Sequence, residues 1–159
     1  MSLNSPNHAV STLDLRIKDT LSLRSPDEVQ SLLPTSAETV RRVATARREI
    51  ADCIHRRDDR LVAVVGPCSI HDPDAAIEYA SHLATTARAL ADALCVVMRV
   101  YFEKPRTIVG WKGLINDPGL DGSCRINDGL LGARRLLLDV AEAGLPTANE
   151  FLDATIRQY

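Results

Sequence analysis

Leu61-Val62-Ala63-Val64-Val65-Gly66-Pro67-Cys68-Ser69-Ile70-His71-Asp72-Pro73 is the stretch that decides the fold class. Its first part is an unbroken apolar run, largely β-branched, with no polar alternation. Such a run reads as a strand covered on both faces, the habit of parallel sheets. Gly66-Pro67 ends it. Asp72 and Pro73 then supply an N-cap and a proline at the first helical position. Behind them Ile77, Ala80, Leu83, Ala84, Ala87, Leu90 and Ala91 recur at the spacing of a buried helical stripe.

Outward from this unit the same rhythm continues. Cys95 to Phe102 reads as a second strand, and Glu103 to about Asn127 as a long loop rich in Gly, Pro and Asp. Loops of that length in a compact domain usually carry function. Asn127 or Asp128 opens a helix with Leu130, Arg134, Leu137, Leu138 and Ala141 on one side, stopped by Gly144 and Pro146. Ala148 to Leu152 is predicted as a third strand. Upstream, Thr35 and Glu38 match a capping box, followed by a stripe of Val40, Val43, Ala46, Ile50 and Ile54. Arg41, Arg42, Arg47, Arg48, Arg56 and Arg57 alternate with Glu49, Asp52, Asp58 and Asp59, the pattern of a solvated helix face rather than a polyanion site. Residues 1–34 read as an extension, with Leu13 to Ile17 alternating like a short edge strand, and residues 35–159 as the α/β domain.

The composition narrows the function classes. The chain has 159 residues, 45% hydrophobic and 25% charged, with a net charge of -2, which gives no electrostatic reason to expect nucleic acid or an anionic membrane as partner. No apolar run approaches the roughly 20 residues of a membrane span, and the polar N-terminus lacks signal-peptide regions, so cytoplasm is the expected location. The cysteines Cys53, Cys68, Cys95 and Cys124 form no C-x-x-C pair and no dense disulfide pattern.

The chemistry lies just past the two apolar strands, where α/β folds gather functional groups. Cys68 and His71 offer a thiolate and an imidazole to a divalent metal, and equally suit a small buried thiol and a histidine bonded to backbone near the Asp72 cap. Arg99 interrupts an apolar strand, and its charge calls for a carboxylate, Glu103 being the nearest in sequence, or an anionic ligand. Lys104, Pro105, Arg106 and Thr107 follow at once. Their cations and hydroxyl, on a backbone stiffened by proline, make a cradle for phosphate or carboxylate oxygens. Trp111, the sole tryptophan, reads as the packing anchor of the long loop.

These residues resemble the type I 3-deoxy-D-arabino-heptulosonate 7-phosphate (DAHP) synthases. The likeness is carried by Gly66 to Asp72, Met98 to Thr107, Gly110-Trp111-Lys112-Gly113-Leu114-Ile115-Asn116-Asp117-Pro118, Arg134 to Asp139 and Glu150-Phe151-Leu152-Asp153. The Lys-Pro-Arg-Thr and Gly-Trp-Lys-Gly-Leu runs separate it from other phosphoenolpyruvate-condensing barrels such as Kdo-8-phosphate synthases. The resemblance implies a (β/α)8 TIM barrel that condenses phosphoenolpyruvate with erythrose 4-phosphate, opening the shikimate route to aromatic amino acids. It implies Cys68 as a ligand of a divalent metal ion (Mn, Fe, Co or Zn) and Arg99 as a phosphoenolpyruvate contact. Lys104 would lie between both substrates, and Pro105, Arg106 and Thr107 would contact erythrose 4-phosphate. It further implies an aromatic amino acid as feedback inhibitor, although Arg157 stands where family members often carry proline, and a homo-oligomer for the full-length protein.

The chain holds about the first three βα units of such a barrel, whose usual size is about 250 residues. The family's remaining histidine, glutamate and aspartate ligands fall in the half not present. A truncated synthase, inactive by itself, is therefore expected, with a non-catalytic remnant or regulatory partner of a full-length synthase as the alternative.

Overall fold

In the computed structural model the chain forms a small parallel sheet with helices packed against it; Ile17, residues 20–105, 109–150, 152–153 and 155–159 are described. The candidates Arg106 and Thr107 lie outside the described residues, as do Leu13 to Arg16 of the proposed edge strand. The order of elements is α1 (Pro26–Leu32), α2 (Ala37–Ile54), β1 (Leu61–Val65), α3 (Pro73–Ala89), β2 (Leu94–Arg99), α4 (Ile126–Glu142) and β3 (Thr147–Ala148), with a final 3-10 turn at Ile156–Gln158. The strands lie in the order β1-β2-β3, so no reversal of direction occurs among them. Both pairings are parallel, with Leu61 opposite Leu94, Val65 opposite Met98, and Arg99 opposite Ala148.

The core sits on the helical side of the sheet. Met98, Val100 and Phe102 alternate onto that face and are buried with Ile70, Ala80, Ala84, Leu130, Leu136 and Val140. Each large apolar side chain sunk there stabilises the fold by roughly 1.5–3 kcal/mol. Gly129 lets α4 come down on the loop before it: a Cβ at that position would stand 2.1 Å from the Ile115 carbonyl oxygen.

Several expectations are corrected. The strand expected to be covered on both faces, β1, has only β2 beside it, and Leu61 is 71% exposed and Val64 51%. The third strand is Thr147–Ala148 rather than Ala148 to Leu152. On α3 the buried line is Ala76, Ala80 and Ala84, while Ile77 and Leu90 are exposed, because alanines allow the helix closer to the sheet than the larger residues one position on. On α4 the line is Leu130, Ala133, Leu136 and Val140, and the helix opens at Ile126 without a side-chain cap.

The N-cap of α2 is Ser36, whose Oγ accepts from the Thr39 N–H at 3.0 Å, and not Thr35. Glu38 is thereby freed to pair with Arg41 and Arg42. The stripe predicted for α2 is largely uncovered, with Val40 and Ile54 exposed. Thr35 serves instead as an acceptor for Arg134, which also donates to the carbonyls of Leu33 at 2.9 Å and Tyr159 at 3.0 Å. One guanidinium on α4 thus ties both flanking segments to the core.

A capping box does exist, ten residues earlier than predicted in the register of its serine. Ser25 Oγ accepts from Glu28 N–H and Glu28 Oε2 from Ser25 N–H, opening α1, whose Val29 is fully buried. No helix among the described residues is long and apolar enough to cross a membrane.

The close contact at Gly129 sets a stability test. Gly129→Ala is expected to lower the unfolding free energy by about 1–3 kcal/mol, read as a lower urea midpoint, since the new methyl overlaps Ile115 backbone. An unchanged midpoint would show that α4 is free to shift.

Candidate active site

Parallel pairing brings the ends of β1 and β2 to the same edge of the sheet. Gly66 makes the approach possible: its φ is +154°, and a Cβ there would lie 2.6 Å from the Arg99 carbonyl oxygen. The Cys68 loop is then held against the continuation of β2. The Tyr101 carbonyl accepts from Ile70 N–H at 2.9 Å and from Ser69 Oγ at 3.3 Å.

Three predicted residues meet here. Lys104 Nζ donates to Cys68 Sγ at 3.2 Å, and Arg99 Nη2 donates to the Cys68 carbonyl at 3.2 Å. The Cys68 thiol is exposed, and its pKa is lowered, first by the hydrogen bond from Lys104, then by the charges of Lys104 and Arg99. The lowering favours the thiolate, the form that ligates metals. Cys95 shows the opposite case, since burial pushes that thiol up.

Arg99 has no carboxylate partner among the described residues. Its guanidinium carbon lies 4.1 Å from the centroid of the Tyr101 ring, and its Nε is buried with nothing to donate to. Glu103, the expected counter-ion, faces elsewhere: Oε2 accepts from Leu152 N–H at 3.4 Å. With 7% exposure, its pKa is raised by burial above all, against smaller opposing effects of backbone donors. A charged guanidinium with a buried, unpaired donor is suited to an anion that brings its own oxygens.

The long loop fixes the backbone that carries Lys104. Lys104 N–H donates to the Lys112 carbonyl at 2.9 Å. Next to it Gly113 has φ +112°, and a Cβ there would stand 2.1 Å from the Phe102 carbonyl oxygen. Trp111 closes the turn by donating from Nε1 to the Asp117 carbonyl at 2.7 Å, as befits the anchor predicted for it. Asp117 is buried and its Oδ2 accepts from Gly122 N–H at 3.1 Å.

Pro105 is exposed beyond Lys104. His71 does not join the Cys68 cluster. It is exposed and lines, with Pro67, Ile70 and Tyr79, a separate cavity over the start of α3 that Cys68 does not line. Asp72 next to it caps α3, its Oδ1 accepting from Asp74 and Ala75 N–H. Among the described residues no three His, Cys, Asp or Glu side chains are gathered to hold a metal ion. Cys68 fits one ligand position, by softness and by its lowered pKa. Tyr101 was not singled out from the sequence. The signal was its i, i+2 spacing from Arg99, which places both on one face of an extended segment.

Comparison with known proteins follows the same residues. A family model described as "DAHP synthetase I family" matches residues 34–159. The chain is 54% identical over 146 residues to the Phe-sensitive phospho-2-dehydro-3-deoxyheptonate aldolase of Escherichia coli (strain K12), covering 92% of this chain and 42% of that protein. A phospho-2-dehydro-3-deoxyheptonate aldolase of Amycolatopsis methanolica is 54% identical over 137 residues, covering 86% of this chain and 68% of the relative. The solved structure of the Francisella tularensis SCHU S4 phospho-2-dehydro-3-deoxyheptonate aldolase superposes with a TM-score of 0.86 at 50% identity, over 90% of this chain and 42% of that one.

Two measurements probe these electrostatics. Lys104→Met removes the cation beside Cys68, so alkylation of Cys68 by iodoacetamide at neutral pH, mapped by mass spectrometry, is expected to slow and its pH midpoint to rise. An unaltered midpoint would separate the lysine from the thiol. For Glu103, between the ordinary value of 4.5 and the raised folded value, the unfolded chain loses a proton that the folded chain keeps, so stability falls as pH rises through that window. Glu103→Gln is expected to remove this loss, gaining in urea midpoint relative to the unaltered chain as pH increases above that value. Parallel pH profiles for the two proteins would contradict the burial effect.

Proposed function

The chain belongs to the DAHP synthetase I family, and on that premise we propose that it supplies the first substrate contacts of a 3-deoxy-7-phosphoheptulonate synthase. The reaction is the condensation of phosphoenolpyruvate with erythrose 4-phosphate and water to DAHP and inorganic phosphate, the entry to aromatic amino acid biosynthesis. The observation that carries the reading is the Arg99 guanidinium, with no carboxylate partner among the described residues and bonded to the same Cys68 that a lysine touches.

Residues 35–159 are read as the N-terminal part of a (β/α)8 barrel and residues 1–34 as an arm that includes α1. The sequential parallel order of β1, β2 and β3 supports the barrel, which closes such an order on itself. The chain spans 42% of the length of the Escherichia coli relative, so turnover belongs to the longer polypeptide and the isolated chain is expected to form no DAHP. That relative is named Phe-sensitive; an aromatic amino acid as inhibitor and assembly into a homo-oligomer are proposed here by extension.

Arg99 binds phosphoenolpyruvate, an anion at both its carboxylate and its phosphate, and orients it at the end of β2. Lys104 lies between the two substrates. There its ammonium offsets negative charge on the aldehyde oxygen as the enol carbon of phosphoenolpyruvate attacks the aldehyde carbon, and it is a proton donor within reach. Water adds to the neighbouring carbon, and phosphate leaves. Pro105, with Arg106 and Thr107, holds erythrose 4-phosphate. Cys68 is the ligand this chain offers to a divalent metal ion (manganese, iron, cobalt or zinc), which when bound acts as a Lewis acid on the aldehyde.

Calorimetric titration of the chain with phosphoenolpyruvate tests the assignment. Arg99→Ala is expected to weaken binding by roughly tenfold or more, the usual cost of removing a hydrogen bond to a charged group. Equal affinity in both proteins would take Arg99 out of the substrate site.

A further inference from the structure

The guanidinium of Arg99 is held by a residue that has no assigned part in the reaction. Its charge rests over the Tyr101 ring at 4.1 Å, its Nη2 is anchored on the Cys68 carbonyl, and its Nε is buried without a partner. An arginine side chain has several rotatable bonds, and fixing it unaided costs entropy at each binding event. Here the guanidinium carbon sits over the ring, and the carbonyl fixes one corner. The remaining N–H groups point in a set direction before any ligand arrives.

We propose that Tyr101 is a positioning residue: its aromatic face pre-orients Arg99 so that the free N–H edge meets an anionic group of phosphoenolpyruvate. The inference rests on the substrate reading of Arg99. Its structural basis is separable from the other duty of Tyr101, because the Cys68 loop is held by the Tyr101 backbone carbonyl and not by the ring. Changing the side chain therefore leaves those bonds in place. Tyr101 also sits on the face of its segment opposite Val100 and Phe102, which fill the core, so the ring is not itself a core element.

The test compares Tyr101→Leu, Tyr101→Met and Tyr101→Phe with the unaltered chain and Arg99→Ala, reading phosphoenolpyruvate affinity by calorimetry and folding by urea midpoint. Loss of a cation–π contact predicts affinity roughly 5- to 30-fold weaker in the Leu and Met variants at an unchanged midpoint. Tyr101→Phe, which restores the ring without the hydroxyl, is expected to recover the affinity. Should Leu fail to fold, Met decides, since its flexible chain fills the same space without a π face. Full affinity in a folded Leu or Met variant overturns the proposal, and so does a loss in Phe equal to that in Leu. If Arg99→Ala itself binds like the unaltered chain, the substrate reading has failed and the role of Tyr101 goes with it. Loss in Arg99→Ala with none in Tyr101→Leu leaves the substrate reading standing and removes only the ring.

Discussion

The site depends on one constraint, the parallel register that sets Val65 opposite Met98. Two parallel strands deliver their exits to the same edge, and Gly66 lets those exits come closer than any side chain would permit. A slip of one residue would exchange the faces of β2. Met98, Val100 and Phe102 would then leave the core, and Arg99 and Tyr101 would be driven into it. The burial of three large apolar groups therefore enforces the orientation of a cation on the opposite face, and packing energy and site geometry share a single cause.

Much of this frame is legible in the sequence because the local signals agree with one another. Leu61–Val65 has no polar break, Asp72-Pro73 is an unambiguous helix start, and Gly144 with φ +92° ends α4 as a residue lacking Cβ readily does. The pairing of Cys68 with the Lys104 neighbourhood also follows, since residues just past successive parallel strands must be neighbours. Rotational phase is harder to read. On α3 the sequence reading starts the buried line at Ile77, as hydrophobicity alone suggests, whereas the structure buries Ala76. The sheet selects the alanine because closeness of approach, a property of two elements together, decides the contact.

Other features escape for a similar reason. The helix α1 is seven residues long, too short to show a period, and its signals are all at its start: the Ser25–Glu28 capping box, Pro26 and the acidic first turn. The strand β3 is cut to Thr147–Ala148: β2 ends at Arg99 opposite Ala148, and the polar Asn149 and Glu150 follow at once. Glu103 and Arg99 are close in sequence and opposite in charge, yet they do not pair. Glu103 turns to the backbone N–H of Leu152, and only the fold decides which of two nearby donors a buried carboxylate accepts from.

The turn from Trp111 to Asp117 has a practical consequence. Trp111 is the only tryptophan in the chain, and its indole N–H is bonded to the Asp117 carbonyl inside the loop that fixes the backbone of Lys104. Indole emission shifts with the polarity and hydrogen bonding of its surroundings. The chain thus carries one indole, placed where ligand capture at the strand ends would disturb it, and its emission, excited to the red of the three tyrosines, is an unlabelled optical report on a single locus rather than an average over many.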